Sequence, residues 1–118
     1  MKKTLSAVAL AAIFAAPMAQ AADEVNIYSF RQAFLIKPLL EAFTEETGIK
    51  ANVVFSKKGL LERIEHEGKN SPADVLLTSD IGPLYDAVGK GLLQPIQSDL
   101  LNNNIPAKYR ATDGQWYG

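Results

Sequence analysis

Three times along this chain a short run of β-forming residues is followed by an amphipathic helical stripe, and that alternation restricts the fold more than any other feature. Val25-Asn26-Ile27-Tyr28-Ser29 alternates apolar and polar residues and reads as a strand. Ile36, Leu39, Leu40 and Phe43 recur at i, i+3, i+4 and i+7, which predicts a helix over residues 35–47, with Glu41, Glu45 and Glu46 on its polar face. Pro38 is expected in the first turn of that helix and Gly48 at its end. A second strand is read over residues 51–55, and Leu60, Leu61 and Ile64 mark a second helix that stops at Gly68. The turn-forming Asn70-Ser71-Pro72 precedes a third strand over residues 74–78. Ile81, Leu84, Tyr85 and Val88 then repeat the helical stripe, with Asp80 as its N-cap and Gly89 or Gly91 as its stop. The strands start about 25 residues apart, the span that a right-handed crossover through a helix needs. The expected fold class is therefore α/β, with an open parallel sheet.

Beyond Leu93 the pattern decays. Gln94-Pro95 and Asn102-Asn103-Asn104 read as surface connection, Asp113-Gly114 as a turn, and Gln115-Trp116-Tyr117-Gly118 as the start of a further strand. A truncated sheet of marginal stability is the expectation. Tyr28 and Tyr85 read as core residues.

The other end constrains the compartment. Met1-Lys2-Lys3 is positive, residues 5–18 form an Ala-rich run without charge, and Ala19-Gln20-Ala21 puts small residues where a signal peptidase needs them. Residues 1–21 are thus predicted to be a signal peptide, and the mature protein, residues 22–118, is expected to be periplasmic. The apolar run is shorter than the ~20 residues that span a bilayer. Export removes Lys2 and Lys3, so ten basic side chains face 13 acidic ones in the mature chain and its formal charge is -3. With no basic block, nucleic acid is not an expected partner. The chain has no cysteine, which excludes disulfides, thiolate metal sites and thiol catalysis.

In an open parallel sheet, ligands bind beyond the carboxyl ends of the strands. Ser29, Phe30, Arg31 and Gln32 fall there after the first strand, Ser56 and Lys57 after the second, and Thr78, Ser79 and Asp80 after the third. Helix N-termini facing the same crevice offer N–H groups to an anion, and Arg31 would add a bidentate fork for an oxyanion. Each has a plainer reading: Arg31 as a solvated loop cation, Asp80 as an N-cap, Asp74 as a partner for nearby amides. His66 is the only histidine, so a histidine metal site is not expected. Gly-rich phosphate loops, Gly-x-Ser-x-Gly elbows and His-Glu-x-x-His are absent from the sequence, and an enzyme is not expected.

Val25-Asn26-Ile27-Tyr28-Ser29-Phe30-Arg31-Gln32, Ala42-Phe43-Thr44-Glu45-Glu46-Thr47-Gly48-Ile49-Lys50 and Ser71-Pro72-Ala73-Asp74-Val75-Leu76-Leu77-Thr78, in that order, resemble the N-terminal part of the periplasmic ferric-iron-binding proteins of bacterial extracellular solute-binding family 1. The resemblance extends over Leu92-Leu93-Gln94-Pro95 and the final Gln115-Trp116-Tyr117-Gly118. It implies the first lobe of a longer, monomeric two-lobed protein that closes on Fe(III) and delivers it to an ABC transporter permease in the inner membrane. In that family the principal metal ligands include an adjacent Tyr-Tyr pair of the second lobe. No such pair occurs here, so no metal ligand is assigned in this chain and the ligands are expected beyond Gly118. Some members carry His at the position of Gln32 and Glu near that of Ser79, both as iron ligands. This chain is more similar to the Tyr-Ser-x-Arg-Gln subgroup, in which the resemblance gives Arg31, with Gln32 beside it, the task of holding a synergistic carbonate. Ser29, Thr78, Ser79 and Asp80 are left as possible cleft-lining residues. The alternatives are a relative that binds another solute, such as thiamine, a polyamine or sulfate, and a receiver-like phosphotransfer domain. The second would need an acidic pair for magnesium where this chain has Ser29-Phe30-Arg31.

Overall fold

A computed structural model describes residues 23–118; the signal-peptide expectation lies outside them. Three strands, β1 (Glu24–Ser29), β2 (Lys50–Phe55) and β3 (Val75–Leu77), form one sheet in the order β2-β1-β3. Both pairings are parallel: Ser29 stands opposite Phe55 on one side and opposite Leu77 on the other. The crossovers are α1 (Ala33–Thr47) and α2 (Leu60–Glu67), the latter followed by a 3-10 turn at Gly68–Asn70. α3 (Gly82–Gly89) follows β3, and α4 (Asp99–Asn104) lies in the tail. The expected open parallel α/β sheet is present, with β1 at its centre because both crossovers bring the chain back beside it.

The core is small. Ile27 and Tyr28 of β1, Ile36 of α1, Leu60 and Leu61 of α2, and Leu84 and Ala87 of α3 are its buried apolar residues. Three predicted stripe positions are exposed: Leu39 at 69%, Tyr85 at 61% and Ile81 at 42%. Tyr85 instead meets Trp116 edge-on, ring centroids 6.0 Å apart. It lines a groove of about 1100 Å³ along the side of β3 that no other described strand covers.

Local chemistry accounts for the element ends that differ from expectation. α1 starts at Ala33, two residues early, so Pro38 falls in the second turn, where it withholds the N–H that would reach the Phe34 carbonyl. β3 is one residue shorter than predicted at each end: Thr78 turns to bond the Asp80 carbonyl, and Asp74 makes a side-chain bond. Its carboxylate accepts the Asn26 N–H at 2.8 Å while its own N–H donates to the Asn26 carbonyl at 2.8 Å. This bears out the reading of Asp74 as a partner of nearby amides. α4 falls in a stretch read as surface connection. Ser98 starts it by accepting the Leu101 N–H at 3.2 Å, and Asp99 faces the positive end of the helix. The strand expected over residues 115–118 reduces to one antiparallel bridge, Arg110 with Tyr117.

Candidate functional site

The carboxyl ends of the three strands share a local device. Ser29, wholly buried, accepts the Arg31 N–H on its Oγ at 3.0 Å and donates the same hydroxyl to the Arg31 carbonyl at 2.7 Å. Ser56 repeats this at the end of β2: its Oγ accepts the Lys58 N–H at 3.4 Å and donates to the Lys58 carbonyl. At the end of β3, Thr78 Oγ1 donates to the Asp80 carbonyl at 2.7 Å. In each case a hydroxyl closes a turn with the residue two positions on, and that residue is charged. Strand ends without ladder partners would otherwise leave these backbone groups to water; the hydroxyls fix them instead.

Arg31 is exposed and makes no ion pair among the described residues. Its guanidinium is therefore available to solvent or to a ligand. Gln32 is half-buried and precedes α1 in extended conformation; its carbonyl accepts the Leu35 N–H at 3.0 Å, and its side chain makes no capping bond. Ser29 lies beneath Arg31 rather than facing the crevice, since its hydroxyl is occupied on both sides of the Arg31 peptide. Thr78, Ser79 and Asp80 border the groove beside β3, whereas Arg31 and Gln32 stand outside it. Asp80 is not the N-cap of α3 as expected, but it satisfies a first-turn N–H from one residue further out. Ile81 is the residue flanking the helix, and Asp80 Oδ1 accepts the Gly82 N–H at 2.9 Å.

The structure brings Arg31 and Gln32 to the centre of the rim, with Thr78, Ser79 and Asp80 on the β3 side. Lys58, on the β2 side, was absent from the sequence-derived candidates. The signal for it was a repeated spacing: Ser29-x-Arg31, Ser56-x-Lys58 and Thr78-x-Asp80 each pair a strand-end hydroxyl with a charge two residues on.

Among the described residues no group of three or more His, Cys, Asp or Glu side chains could hold a metal ion. Tyr28 is not a free phenol either. Burial, followed by its hydrogen bond to Glu67, pushes its pKa above the ordinary value, and its hydroxyl lies 2.9 and 2.8 Å from the two Glu67 carboxylate oxygens. Partial burial works against Glu67 ionisation, but bonds from Tyr28 and Ser71 and the charge of Arg63 outweigh it and hold the carboxyl below its usual range. Arg63 lies 4.9 Å from the Tyr28 ring centroid. This cluster ties α2 to β1; it is not part of the rim.

Residues 29–117 match the family described as bacterial extracellular solute-binding protein. The chain is 48% identical over 97 residues to iron uptake protein A1 of Synechocystis, covering 81% of this chain and 27% of that protein. Ferric iron-binding protein A of Mannheimia haemolytica, solved in an open conformation, superposes with a TM-score of 0.79 at 50% identity over 82% of this chain and 31% of that one. The Bordetella ferric binding protein gives 0.77 at 54% identity, over 80% and 30%. The chain spans under a third of the length of these relatives. With a sheet of the same architecture and a match over most of its length, the chain belongs to the bacterial extracellular solute-binding protein family.

Proposed function

We propose that residues 22–118 form the first lobe of a periplasmic Fe(III)-binding protein, exported by removal of residues 1–21, which delivers iron to an ABC transporter permease as a monomer without enzymatic activity. The observation that carries this reading is the 50% identity and 0.79 TM-score with a ferric iron-binding protein A. Fe(III) is a small, hard, trivalent cation that favours anionic oxygen donors. Among the described residues of this lobe no group of three or more His, Cys, Asp or Glu side chains is gathered for a metal ion. The lobe's contribution is a backbone-anchored cation, Arg31, that holds a synergistic carbonate, with Gln32 beside it. The planar guanidinium can bond two oxygens of the anion at once. The anion in turn supplies negative oxygens to the metal, whose protein ligands come from outside this chain.

The test is iron loading of the protein carrying this segment together with the second lobe that its relatives possess. The expected result is a visible phenolate-to-iron charge-transfer band that depends on carbonate, with iron retention weakened by Arg31→Ala. Equal iron retention with and without carbonate and Arg31 would refute the anion role, and no iron band under any condition would refute the iron reading.

A further inference from the structure

Arg31 is not the only backbone-anchored cation on the rim. The hydroxyl turns of Ser29 and Ser56 are joined directly, since the Ser56 N–H donates to the Ser29 carbonyl at 3.1 Å. The pairing of Ser29 opposite Phe55 carries the two turns forward on adjacent strands, which lie ~4.8 Å apart in a sheet. Each turn ends on an exposed cation, Arg31 or Lys58, and neither has an acidic partner within ion-pair distance among the described residues. Glu62, in the first turn of α2, does not pair with Lys58. On the other flank of Arg31 the third turn ends on an acid, Asp80, whose carboxylate accepts the Gly82 N–H in the first turn of α3. Across the sheet, in the order β2-β1-β3, the rim therefore reads Lys58, Arg31, Asp80. A small anion seated at Arg31 is drawn toward β2 and repelled from β3.

We propose that Lys58 is the second cation of the anion site, sharing with Arg31 a small oxyanion that carries two or more negative oxygens, and that Ser56 is its positioning residue. This rests on the reading of Arg31 as the anion holder. Two backbone-anchored cations suit carbonate better than a monovalent halide, because each can meet a different oxygen. Lys58 supplies a point charge and Arg31 the directional fork.

The experiment needs no iron. The isotope-labelled chain is titrated with bicarbonate at constant ionic strength, with chloride as the matched control, and amide shifts at residues 29–32 and 56–59 give the Kd. Lys58→Gln is expected to raise Kd on the order of five- to tenfold, and Arg31→Ala by at least as much. Lys69→Gln, in the 3-10 turn after α2, should leave it unchanged. Ser56→Ala should weaken binding, and Ser56→Thr, which keeps the hydroxyl, should restore it at unchanged thermal stability. If Lys58→Gln binds within twofold of the parent while Arg31→Ala does not, the role of Lys58 is overturned and that of Arg31 stands. If neither substitution matters, or chloride produces the same shifts, both are overturned.

Discussion

The Tyr28 hydroxyl makes a bifurcated hydrogen bond to both carboxylate oxygens of Glu67, at 2.9 and 2.8 Å, and joins the centre of the sheet to the last turn of α2. Ser71 donates to the same carboxylate at 3.1 Å and Arg63 approaches it at 3.5 Å, so one acid gathers three donors. Both titrations follow from this arrangement. Glu67 has a folded pKa below its ordinary 4.5, so it contributes stability above that value and loses it as pH falls through the lowered folded value. Tyr28 has a folded pKa above its ordinary 10.0, so its contribution is complete below pH 10.0 and is lost as pH rises through the raised value. Melting temperature should therefore be flat near neutrality and fall at both extremes. Glu67→Gln should flatten the acid arm and Tyr28→Phe the alkaline one, each lowering the neutral melting temperature. An acid arm as steep in Glu67→Gln as in the parent would show that other carboxylates govern it.

Gly114 illustrates a different kind of constraint. It has φ +78°, and a Cβ at this position would collide with the Ile96 carbonyl oxygen. The backbones bond here as well, with the Ile96 N–H donating to the Gly114 carbonyl at 3.0 Å. Gly114→Ala should cost more than about 2 kcal/mol, because the collision adds to the left-handed strain. Gly48→Ala, at φ +73° with open space around it, should cost only about 1–2 kcal/mol. Trp116 is the sole tryptophan and rests against Tyr85, so its fluorescence reports the tail directly. A red shift is expected in Gly114→Ala and none in Gly48→Ala.

Asp74 secures β3 to β1 before the ladder starts, through its reciprocal bonds with Asn26. β3 has only three ladder residues, so this attachment is a large share of its hold. Asp74→Ala should destabilise the chain by ~1 kcal/mol, and Asp74→Asn, which keeps a carbonyl oxygen for the Asn26 amide, should recover part of the loss. Amide exchange at Tyr28 and Leu77 provides the check: it should accelerate in Asp74→Ala more than exchange at Val53 of β2.

The contrast between the sheet and the rim explains what was legible in the sequence. The strands and crossovers were visible because apolar periodicity is a local property: Ile27 and Tyr28, Ile36, Leu60 and Leu84 all lie buried where their spacing put them. Leu39 and Tyr85 carry the same periodicity and stay exposed, because burial also needs a facing surface and spacing says nothing of that. α4 was missed because three consecutive asparagines have poor helix propensity, while the Ser98 cap that starts it is a single residue. Arg31 and Asp80 were found from their place after a strand, but Lys58 required knowing that a serine two residues earlier closes on it. The Asp113-Gly114 turn is similar: the turn residues were legible, their partner Ile96 was not.

Ser29 is the residue through which sheet and rim act on each other. It is wholly buried, ends β1, and satisfies both the N–H and the carbonyl of Arg31. Ser29→Ala removes the hydroxyl without leaving a large cavity, so its principal effect is to orphan two backbone groups next to the core. A loss of about 1–3 kcal/mol is expected, independent of pH because no titrating group is removed. Ser29→Thr keeps the hydroxyl and adds one methyl group; overpacking should cost it some stability, but the bonds to Arg31 should survive. The two variants can therefore be matched in stability and compared at Arg31 itself. Amide exchange of Arg31 should be much faster in Ser29→Ala than in Ser29→Thr at equal global stability. Equal exchange rates would mean that the strand end, not the hydroxyl, fixes the arginine.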